Sequence, residues 1–567
     1  MTSELAVPLR PAATKLSFVL CATLVLAVGA VVLALPMFVN GAYPGDDIYE
    51  HLTFNRHFTQ QLWAGEWYPR WLIGVNHGLG SPAFFVYPPL PAYIYAVLDP
   101  LSNALHLNTL VAEEFLVLLA SGITALLWLS TISARWIAVA GALLYMLAPY
   151  HLAVDLYKRT ALPECWALVW IPLLLYLTHK ARDNKRTTIV LFALVYALLI
   201  FSHVVSTLIF SYVPVIAALL LSAKGQRLRS LRSIVAGMLL GIGLSCFYLI
   251  PAFCHSRNFP PLRLGSLQNL DLYLIGTQNL FVTNRYLLLV AASLNAIAVC
   301  VLCGAAVLVK GSRDSKKRVA FWLLISLLPA LLMCSLSSPV WKTWPALWSS
   351  VQYPFRLNIV LCISQAAIVT VLLSEAGRAS RFLSRLRLIL ILLVVIPWLC
   401  SYAMVWKYYA IRVNARAVIA SHDETQFAYD GWFESWSPPG LDEASALRAA
   451  AGPRVRFMTG TGAATVTTWK PRHIEFETNS STGGQVMVKQ FYYPSWQSEL
   501  AASAQRLETR AAMPEGLLQV QVPPGQQDVR LDIPTSASER VGLCVSVLSV
   551  FLGAFFVWRE RHHRKPL

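Results

Sequence analysis

Residues 16–39 have the sequence LSFVLCATLVLAVGAVVLALPMFV, an apolar run without a charged residue. A helix needs about 20 consecutive apolar residues to cross the hydrocarbon core of a bilayer, so this run predicts a first transmembrane helix. It is also longer than the apolar core of a secretory signal, which covers about 7 to 15 residues. The fold is therefore predicted to begin with a helix embedded in a membrane.

The whole chain has the composition of a membrane protein. Of its 567 residues, 56% are hydrophobic and only 13% are charged, whereas soluble domains carry about 25% charged residues. Apolar runs recur along the chain, and together they predict a mainly α membrane protein with about 12 transmembrane helices. The predicted spans are roughly 16–39, 109–131, 136–151, 163–179, 188–203, 204–222, 233–253, 286–309, 319–337, 357–375, 387–406 and 540–558.

The formal net charge of +17 comes from short basic clusters that lie between the apolar runs. Nucleic-acid binding needs one continuous basic patch, and that patch is missing, so we predict no nucleic-acid partner. Lys and Arg accumulate in the cytoplasmic loops of membrane proteins. Placing all the clusters on that side puts both termini in the cytoplasm and makes the number of spans even. The clusters lie at 180–186, 224–232, 310–318, 378–387 and 559–565.

The apolar runs divide the chain into three parts. Residues 1–406 are predicted to form the multi-pass transmembrane domain, with a first outer loop at 40–108. The apolar stretch from 87 to 101 within that loop begins with prolines and is too short to span, so we predict an outer-face juxtamembrane helix. Residues 407–539 form a separate domain, and residues 540–567 form the last helix and a basic cytoplasmic tail.

The domain at 407–539 is predicted to be extracytoplasmic and β-rich. Its segments 473–477 and 518–522 alternate polar and apolar residues, a period of two that indicates strands. Glycine and proline turns separate these segments. The domain contains no cysteine, so its stability cannot come from disulfides. Its aromatic segment 492–496 indicates core or turn packing in preference to carbohydrate binding.

Two adjacent acids and a histidine follow the first predicted span. Asp47 and His51 are four residues apart, so on a helix they would share one face. Carboxylates at a membrane boundary are costly unless they are solvated or have a function. The same acids also fit a cap at the N-terminus of that helix. A divalent cation between Asp47 and His51 is a further alternative, although two ligands do not make a site.

Four short motifs follow one another in the first outer loop, and they are Asp47/His51, Gly65/Pro69/Arg70/Trp71, Gly78/Gly80/Pro82 and Tyr87/Pro88/Pro89/Leu90. In this order the chain resembles the bacterial 6-pyruvoyl-tetrahydropterin synthase-related membrane proteins, a branch of the GT-C superfamily of membrane glycosyltransferases. Later segments at 149–151, 159–164, 203 and 353–356 extend the resemblance over roughly the first 360 residues. Many relatives carry His-Asp where this chain has Asp46-Asp47.

The resemblance implies that a monosaccharide moves from a polyprenyl-phosphate donor to a glycan, lipid or protein acceptor. It places this reaction on the outer, periplasmic face of a bacterial inner membrane and makes an Asp of the first outer loop the general base. Asp47 or Asp46 would fill that role, with His51 beside them. The pterin in the family name implies no pterin cofactor here, because the chain shows neither a soluble pterin-enzyme domain nor a zinc-type histidine cluster.

Transfer from a sugar phosphate also needs cations for the departing phosphate. Arg159, Arg356 and Lys158 lie on the predicted outer face beside helix ends, and an arginine fork binds phosphate bidentately. The alternative is that they extend to lipid headgroups, which is the favoured interpretation for Lys158. The predicted supporting residues are Glu164, as an ion-pair partner of Arg159, and Tyr87, Arg70 and His203. For His203, helix packing is the favoured alternative.

Two other functions fit a multi-pass chain. A lipid or polysaccharide transporter or flippase would carry ionisable residues at midmembrane in broken helices, often within internal repeats. Here the charges lie at the outer boundary and no repeat is visible. A non-catalytic scaffold for glycan assembly would keep the fold without the chemistry. Only a test of Asp46 and Asp47 separates that scaffold from an enzyme.

Overall fold

The computed structural model describes residues 12–42, 45–183, 185–259, 270, 274–275, 311–344, 351, 353–375, 381–412 and 440–562. Helices dominate this part of the chain up to residue 412, and a β-domain precedes the last helix. The helices are α1 Ala12–Asn40, α2 Ile48–Trp63, α3 Val75–Gly78, α4 Leu90–Ala104, α5 Thr109–Leu129, α6 Arg135–Leu147, α7 Leu162–Lys180, α8 Arg186–Ser202, α9 Val204–Phe210, α10 Tyr212–Leu221, α11 Arg227–His255, α12 Arg313–Leu332, α13 Ser338–Thr343, α14 Asn358–Ser374, α15 Arg381–Arg412, α16 Glu443–Ala450 and α17 Ala537–His562.

Nine helical segments among the described residues are long and apolar enough to cross a membrane. They are Leu16–Asn40, Thr109–Leu129, Arg135–Arg159, Leu162–Asp183, Val204–Leu221, Lys224–Asn258, Pro354–Ser374, Leu388–Lys407 and Ala537–His562. The apolar helix α8 is shorter. The predicted span 286–309 lies outside the described residues, and the predicted span 319–337 overlaps α12. The mainly α membrane fold is confirmed, whereas the number of about 12 spans stays a prediction.

The connection between the predicted spans 136–151 and 163–179, which carries the predicted outer-face residues Lys158 and Arg159, is largely helical. A π-helix at Tyr150–Arg159 follows α6 almost directly, and α7 starts at Leu162. The charged residues that suggested a loop satisfy each other inside the protein, because Arg159 pairs with Asp155 one turn earlier. The segment therefore has no need of solvent, and this part of the chain enters the helical bundle.

The last helix α17 packs closely against α11 through small residues. The Ser546 hydroxyl donates to the Gly243 carbonyl at 3.1 Å and accepts from the backbone N–H of Phe247 at 2.9 Å. A Cβ added at Gly542 would collide with the backbone of Cys246 and Phe247. Small residues let helix backbones approach in a membrane, where packing and interhelical hydrogen bonds drive association.

The predicted β-rich domain is present as a sandwich of two antiparallel sheets. The strands are β1 Val455–Phe457, β2 Gly462–Lys470, β3 His473–Ser480, β4 Gly484–Phe491, β5 Gln497–Leu500, β6 Arg506–Leu507, β7 Thr509–Ala512, β8 Leu517–Val522 and β9 Gly525–Asp532. One sheet has the order β1-β4-β8-β7 and the other has the order β2-β3-β9-β5-β6. Helix α15 continues past the predicted boundary at 407 to Arg412, and the first observed strand begins at Val455, after the short helix α16.

The sandwich docks directly onto the first outer loop. The Trp71 indole donates to the Gln490 amide oxygen at 2.8 Å, and the Phe491 backbone N–H donates to the Leu79 carbonyl at 2.5 Å. The Tyr493 ring stacks on Phe85 with centroids 5.7 Å apart. Tyr493 and Trp496 are buried, so these two aromatic residues pack in an interface, as the sequence predicted.

One glycine of the first outer loop is required for this docking. Gly80 adopts a φ of +84°, and a Cβ there would lie 2.6 Å from the Trp71 ring. A side chain at this position would therefore strain the backbone and displace Trp71 from the sandwich. The motif that contains Gly80 thus has a structural role in holding the β-domain.

Trp71→Ala is expected to destabilise the protein by about 3–5 kcal/mol, because it removes a buried indole at the centre of this interface. Trp67→Ala in the same loop is the matched control, since Trp67 is 85% exposed. Its expected cost is within about 0.5 kcal/mol. The measurement is unfolding of the purified proteins in detergent. Equal stability of the two variants would contradict the docking role.

Candidate functional site

The two acids of the first outer loop are held against the end of the π-helix by backbone hydrogen bonds. The Asp46 N–H donates to the Lys158 carbonyl at 3.1 Å, and the Asp47 N–H donates to the Arg159 carbonyl at 2.8 Å. Gly45 makes this approach possible, because a Cβ there would lie 2.9 Å from the backbone of Arg159 and Thr160. The loop that follows α1 therefore presents both carboxylates beside the predicted cations.

A buried charge cluster lies next to this loop. Arg159 Nη1 lies 2.8 Å from Asp155 Oδ1 and 2.7 Å from Glu164 Oε2. Arg356 Nε lies 3.4 Å from the same Glu164 oxygen, and the Tyr150 hydroxyl donates to Glu164 Oε1 at 2.5 Å. These carboxylates are fully buried, so each depends on its partners to remain charged. We call Asp155, Arg159, Glu164 and Arg356 the buried charge cluster.

Asp46 and Asp47 differ in their surroundings. Asp46 pairs with Lys158, and its side chain is 57% exposed. Asp47 is 37% exposed and lies 3.8 Å from Arg159 Nη2, beyond hydrogen-bond distance. Burial raises the pKa of Asp47 above its usual value of 3.8, while Arg159 and Arg356 oppose that rise. Asp47 therefore lies between solvent and the buried charge cluster, whereas Asp46 faces outward.

Helix α2 adds two further titratable groups beside Asp47. Burial, and to a smaller degree the charge of Arg159, lowers the pKa of His51 to about 3, so its imidazole is neutral at pH 7. Its buried Nε2 makes no hydrogen bond within the described part of the chain. Burial and the charge of Asp47 raise the pKa of Glu50 well above 4.5. A protonated Glu50 can donate a hydrogen bond, which an ionised carboxylate cannot.

Two predicted supporting residues border the site. Burial raises the pKa of Tyr87 well above its usual value of 10, the charges of Glu50 and Asp47 add to this rise, and the charge of Arg356 opposes it. His203 caps α9 by accepting from the Ser206 N–H at 3.3 Å, and it interacts electrostatically with Glu164. The cap gives His203 a structural task in addition to its place beside the buried charge cluster.

Arg70 lies elsewhere, although its motif occurs in the same loop. It forms an ion pair with Glu539 of α17 at 3.0 Å and donates to the Phe247 carbonyl at 2.8 Å. Arg472 of the β-domain pairs with the same Glu539 at 3.0 Å. Arg70 therefore joins the first outer loop to α17 and the sandwich. The structure brings together the other predicted residues, which are Asp46, Asp47, His51, Tyr87, Lys158, Arg159, Glu164, His203 and Arg356.

Three residues of the site were not predicted. Asp155 and Tyr150 belong to the π-helix and bind Arg159 and Glu164, and Glu50 neighbours Asp47. The spacing of Asp155 and Arg159, four residues apart with opposite charge, was a usable signal for an ion pair. Among the described residues, no group of three or more His, Cys, Asp or Glu side chains is arranged to hold a metal ion.

Comparisons with known proteins place the chain in a family and show remote structural similarity. A family model described as the 6-pyruvoyl-tetrahydropterin synthase related domain of membrane proteins matches residues 84–410. No curated protein matches the sequence. The arabinofuranosyltransferase AftD from Mycobacteria is 16% identical with a TM-score of 0.42, covering 70% of this chain and 28% of AftD.

A second solved structure is the oligosaccharyltransferase AglB from Archaeoglobus fulgidus, in complex with an inhibitory peptide and a dolichol-phosphate. It is 12% identical with a TM-score of 0.43, covering 74% of this chain and 61% of AglB. This chain thus spans less than two thirds of either protein.

Proposed function

Because the chain belongs to the 6-pyruvoyl-tetrahydropterin synthase related family of membrane proteins, we propose that it is a membrane glycosyltransferase of the GT-C type. It moves a monosaccharide from a polyprenyl-phosphate donor to a glycan, lipid or protein acceptor. The observation that carries the proposal is the position of Asp47, 3.8 Å from Arg159 and beside a buried charge cluster with two arginines. A carboxylate and cations at one membrane boundary are the groups that this transfer requires.

In the proposed reaction, Asp47 accepts the proton of the acceptor hydroxyl. The acceptor oxygen forms a bond to the anomeric carbon of the sugar while the bond from that carbon to the phosphate oxygen breaks. The electron pair of the broken bond remains on the polyprenyl phosphate. Arg159 and Arg356 stabilise that charge, since preorganised cations act most strongly where charge develops. Attack opposite to the departing phosphate inverts the configuration of the anomeric carbon.

The buried charge cluster fixes the arginines before the donor arrives. Glu164 contacts both Arg159 and Arg356, and Asp155 contacts the same Nη1 of Arg159 that Glu164 does. The guanidinium groups are therefore oriented by the protein, and they need little rearrangement when a phosphate binds. Each guanidinium carries five N–H donors, so its contacts with carboxylates are compatible with further bonds to phosphate.

The proposed orientation places the site on the periplasmic side of a bacterial inner membrane, with both termini in the cytoplasm. It rests on the basic residues at the helix ends remote from Asp47, such as Arg182, Arg229 and Arg318. Reporter fusions after Lys185 and Arg313 are expected to report cytoplasm, and a fusion at Gly484 is expected to report the outer side. A cytoplasmic signal at Gly484 would contradict the scheme.

Transfer of a labelled sugar from its polyprenyl phosphate in proteoliposomes tests the proposal, and its pH dependence tests the base. Asp47 accepts a proton only when ionised, and its pKa is raised by burial. We therefore expect the rate to fall as the pH drops through this raised pKa and to level off above it. Asp46→Asn is expected to retain the acidic limb of the profile, and Asp47→Asn to lose it.

The neighbouring acid Glu50 provides a second comparison for the pH profile. The pKa of Glu50 is also raised, so ionisation of Glu50 is the alternative source of the fall in rate at low pH. We expect Glu50→Gln to keep the acidic limb. Loss of that limb in Glu50→Gln, together with its retention in Asp47→Asn, would assign the base to Glu50 and contradict the role of Asp47.

A further inference from the structure

A cavity of about 150 Å³ lies at the end of the helical bundle opposite the candidate site. Helix α7 connects the two places, because Glu164 belongs to its first turn and Arg182 follows its last residue. At 1.5 Å per residue, these two side chains are separated by about 27 Å along the helix axis. The hydrocarbon core of a bilayer is about 30 Å thick. The cavity therefore lies at the other membrane boundary.

Three cations line this cavity. Arg318 Nη1 donates to the Ile132 carbonyl at 2.7 Å, Arg182 Nη2 contacts the Leu221 carbonyl at 3.3 Å, and Lys317 Nζ contacts the same carbonyl at 3.5 Å. The Leu221 carbonyl belongs to the last residue of α10, where a helix leaves acceptors unsatisfied, and the Ile132 carbonyl belongs to the turn that follows α5. These carbonyls thus hold the cations at the cavity, and within the described part of the chain each cation makes one such contact, which leaves further N–H donors for a ligand.

The cavity has an excess of positive charge. Asp314 is the one acid in its lining, and it forms no ion pair with Arg182, Lys317 or Arg318 in the part of the chain that the structure describes. The apolar part of the lining includes Trp128 and Trp322, whose rings meet edge to face at 5.5 Å. Tryptophan is enriched at the headgroup level of membrane proteins.

We propose that this cavity binds a phosphate group, supplied by the headgroup of an anionic membrane lipid. Arg182, Lys317 and Arg318 would contact the phosphate, and the tryptophans would pack against the adjoining glycerol and acyl carbons. Basic pockets between transmembrane helices recognise anionic headgroups in this manner. The cavity shares no lining residue with the site of Asp47, so this proposal does not rest on the proposed transfer reaction.

The test is binding of phosphatidylglycerol to the full-length protein in detergent, with phosphatidylcholine as the zwitterionic comparison. The variant is Arg182→Gln with Lys317→Gln, and the matched control is Arg229→Gln, an exposed arginine outside the cavity lining near the same membrane boundary. We expect the double variant to bind phosphatidylglycerol about 25-fold more weakly, at about fivefold for each cation. The control is expected to change affinity less than twofold.

A soluble phosphate probe and a single variant complete the binding experiment. Glycerol phosphate, which carries a phosphate without acyl chains, is titrated alone: we expect it to bind more weakly than phosphatidylglycerol, and equal affinity would overturn the lipid headgroup as the source. The single variant Lys317→Gln, at an exposed side chain, replaces the double variant if that protein does not fold, with about a fivefold loss expected. Equal affinity of variant and control for both probes would overturn the proposal.

Discussion

Arg159→Gln is expected to destabilise the protein by about 3–5 kcal/mol, one of the largest effects that a single substitution can have here. Arg159 lies between Asp155 and Glu164, whose side chains are 0% and 1% exposed. Removing its charge leaves two buried carboxylates with Arg356 as their remaining cation. The free energy of unfolding, measured by chemical denaturation in mixed micelles, is the quantity to compare.

The adjacent residue provides the control for this prediction. Lys158→Gln removes the same charge one position earlier, but Lys158 pairs with the exposed Asp46. Surface pairs contribute about 0–1 kcal/mol, so little stability should be lost. The double variant Arg159→Gln with Glu164→Gln should be more stable than Arg159→Gln alone, because it removes one uncompensated charge. Equal costs for Arg159→Gln and Lys158→Gln would show that the cluster does not depend on Arg159.

Asp47→Asn is expected to lower the rate of sugar transfer by about 10²–10⁴-fold, the contribution typical of a general base. Asparagine keeps the shape of the side chain but cannot accept the proton. Among the described residues the ion pair of Asp47 with Arg159 is long, at 3.8 Å, so expression and donor binding should remain near normal. The rate is measured with saturating donor in reconstituted membranes.

The neighbouring acid again provides a matched control. Asp46→Asn also removes one negative charge from the same loop, but Asp46 pairs with Lys158 and faces solvent. We expect a milder loss of rate, together with a change in local stability of at most about 1 kcal/mol. A large loss in Asp46→Asn alone would keep the enzyme and reverse the assignment of the base.

Much of the helical architecture could be predicted because a helix that crosses a membrane needs about 20 consecutive apolar residues. Apolar runs such as 16–39 correspond to observed helices. The hydropathy pattern did not predict the π-helix 150–159, because its charged residues suggested a loop between two spans. Hydropathy treats each charge as if it required water, whereas the two carboxylates of the buried charge cluster pair with its two arginines inside the bundle.

The candidate site was predictable where its residues are close in sequence and not where they are distant. Asp47 directly precedes α2 and His51 lies in its first turn, so their proximity follows from their spacing. Arg70 was placed with them because its motif lies in the same loop. Its partner Glu539 belongs to the last helix, and a single sequence contains no signal for a pair so far apart.

The most direct test of the proposed transfer is a single-turnover measurement with purified protein in proteoliposomes. A polyprenyl-phosphate donor with a labelled sugar is supplied together with an acceptor, and release of polyprenyl phosphate is followed alongside labelling of the acceptor. The account predicts equal amounts of both products from the natural protein and a loss of about 10²–10⁴-fold in Asp47→Asn at normal donor binding. Near-normal transfer in Asp46→Asn, Asp47→Asn and the double variant would contradict it.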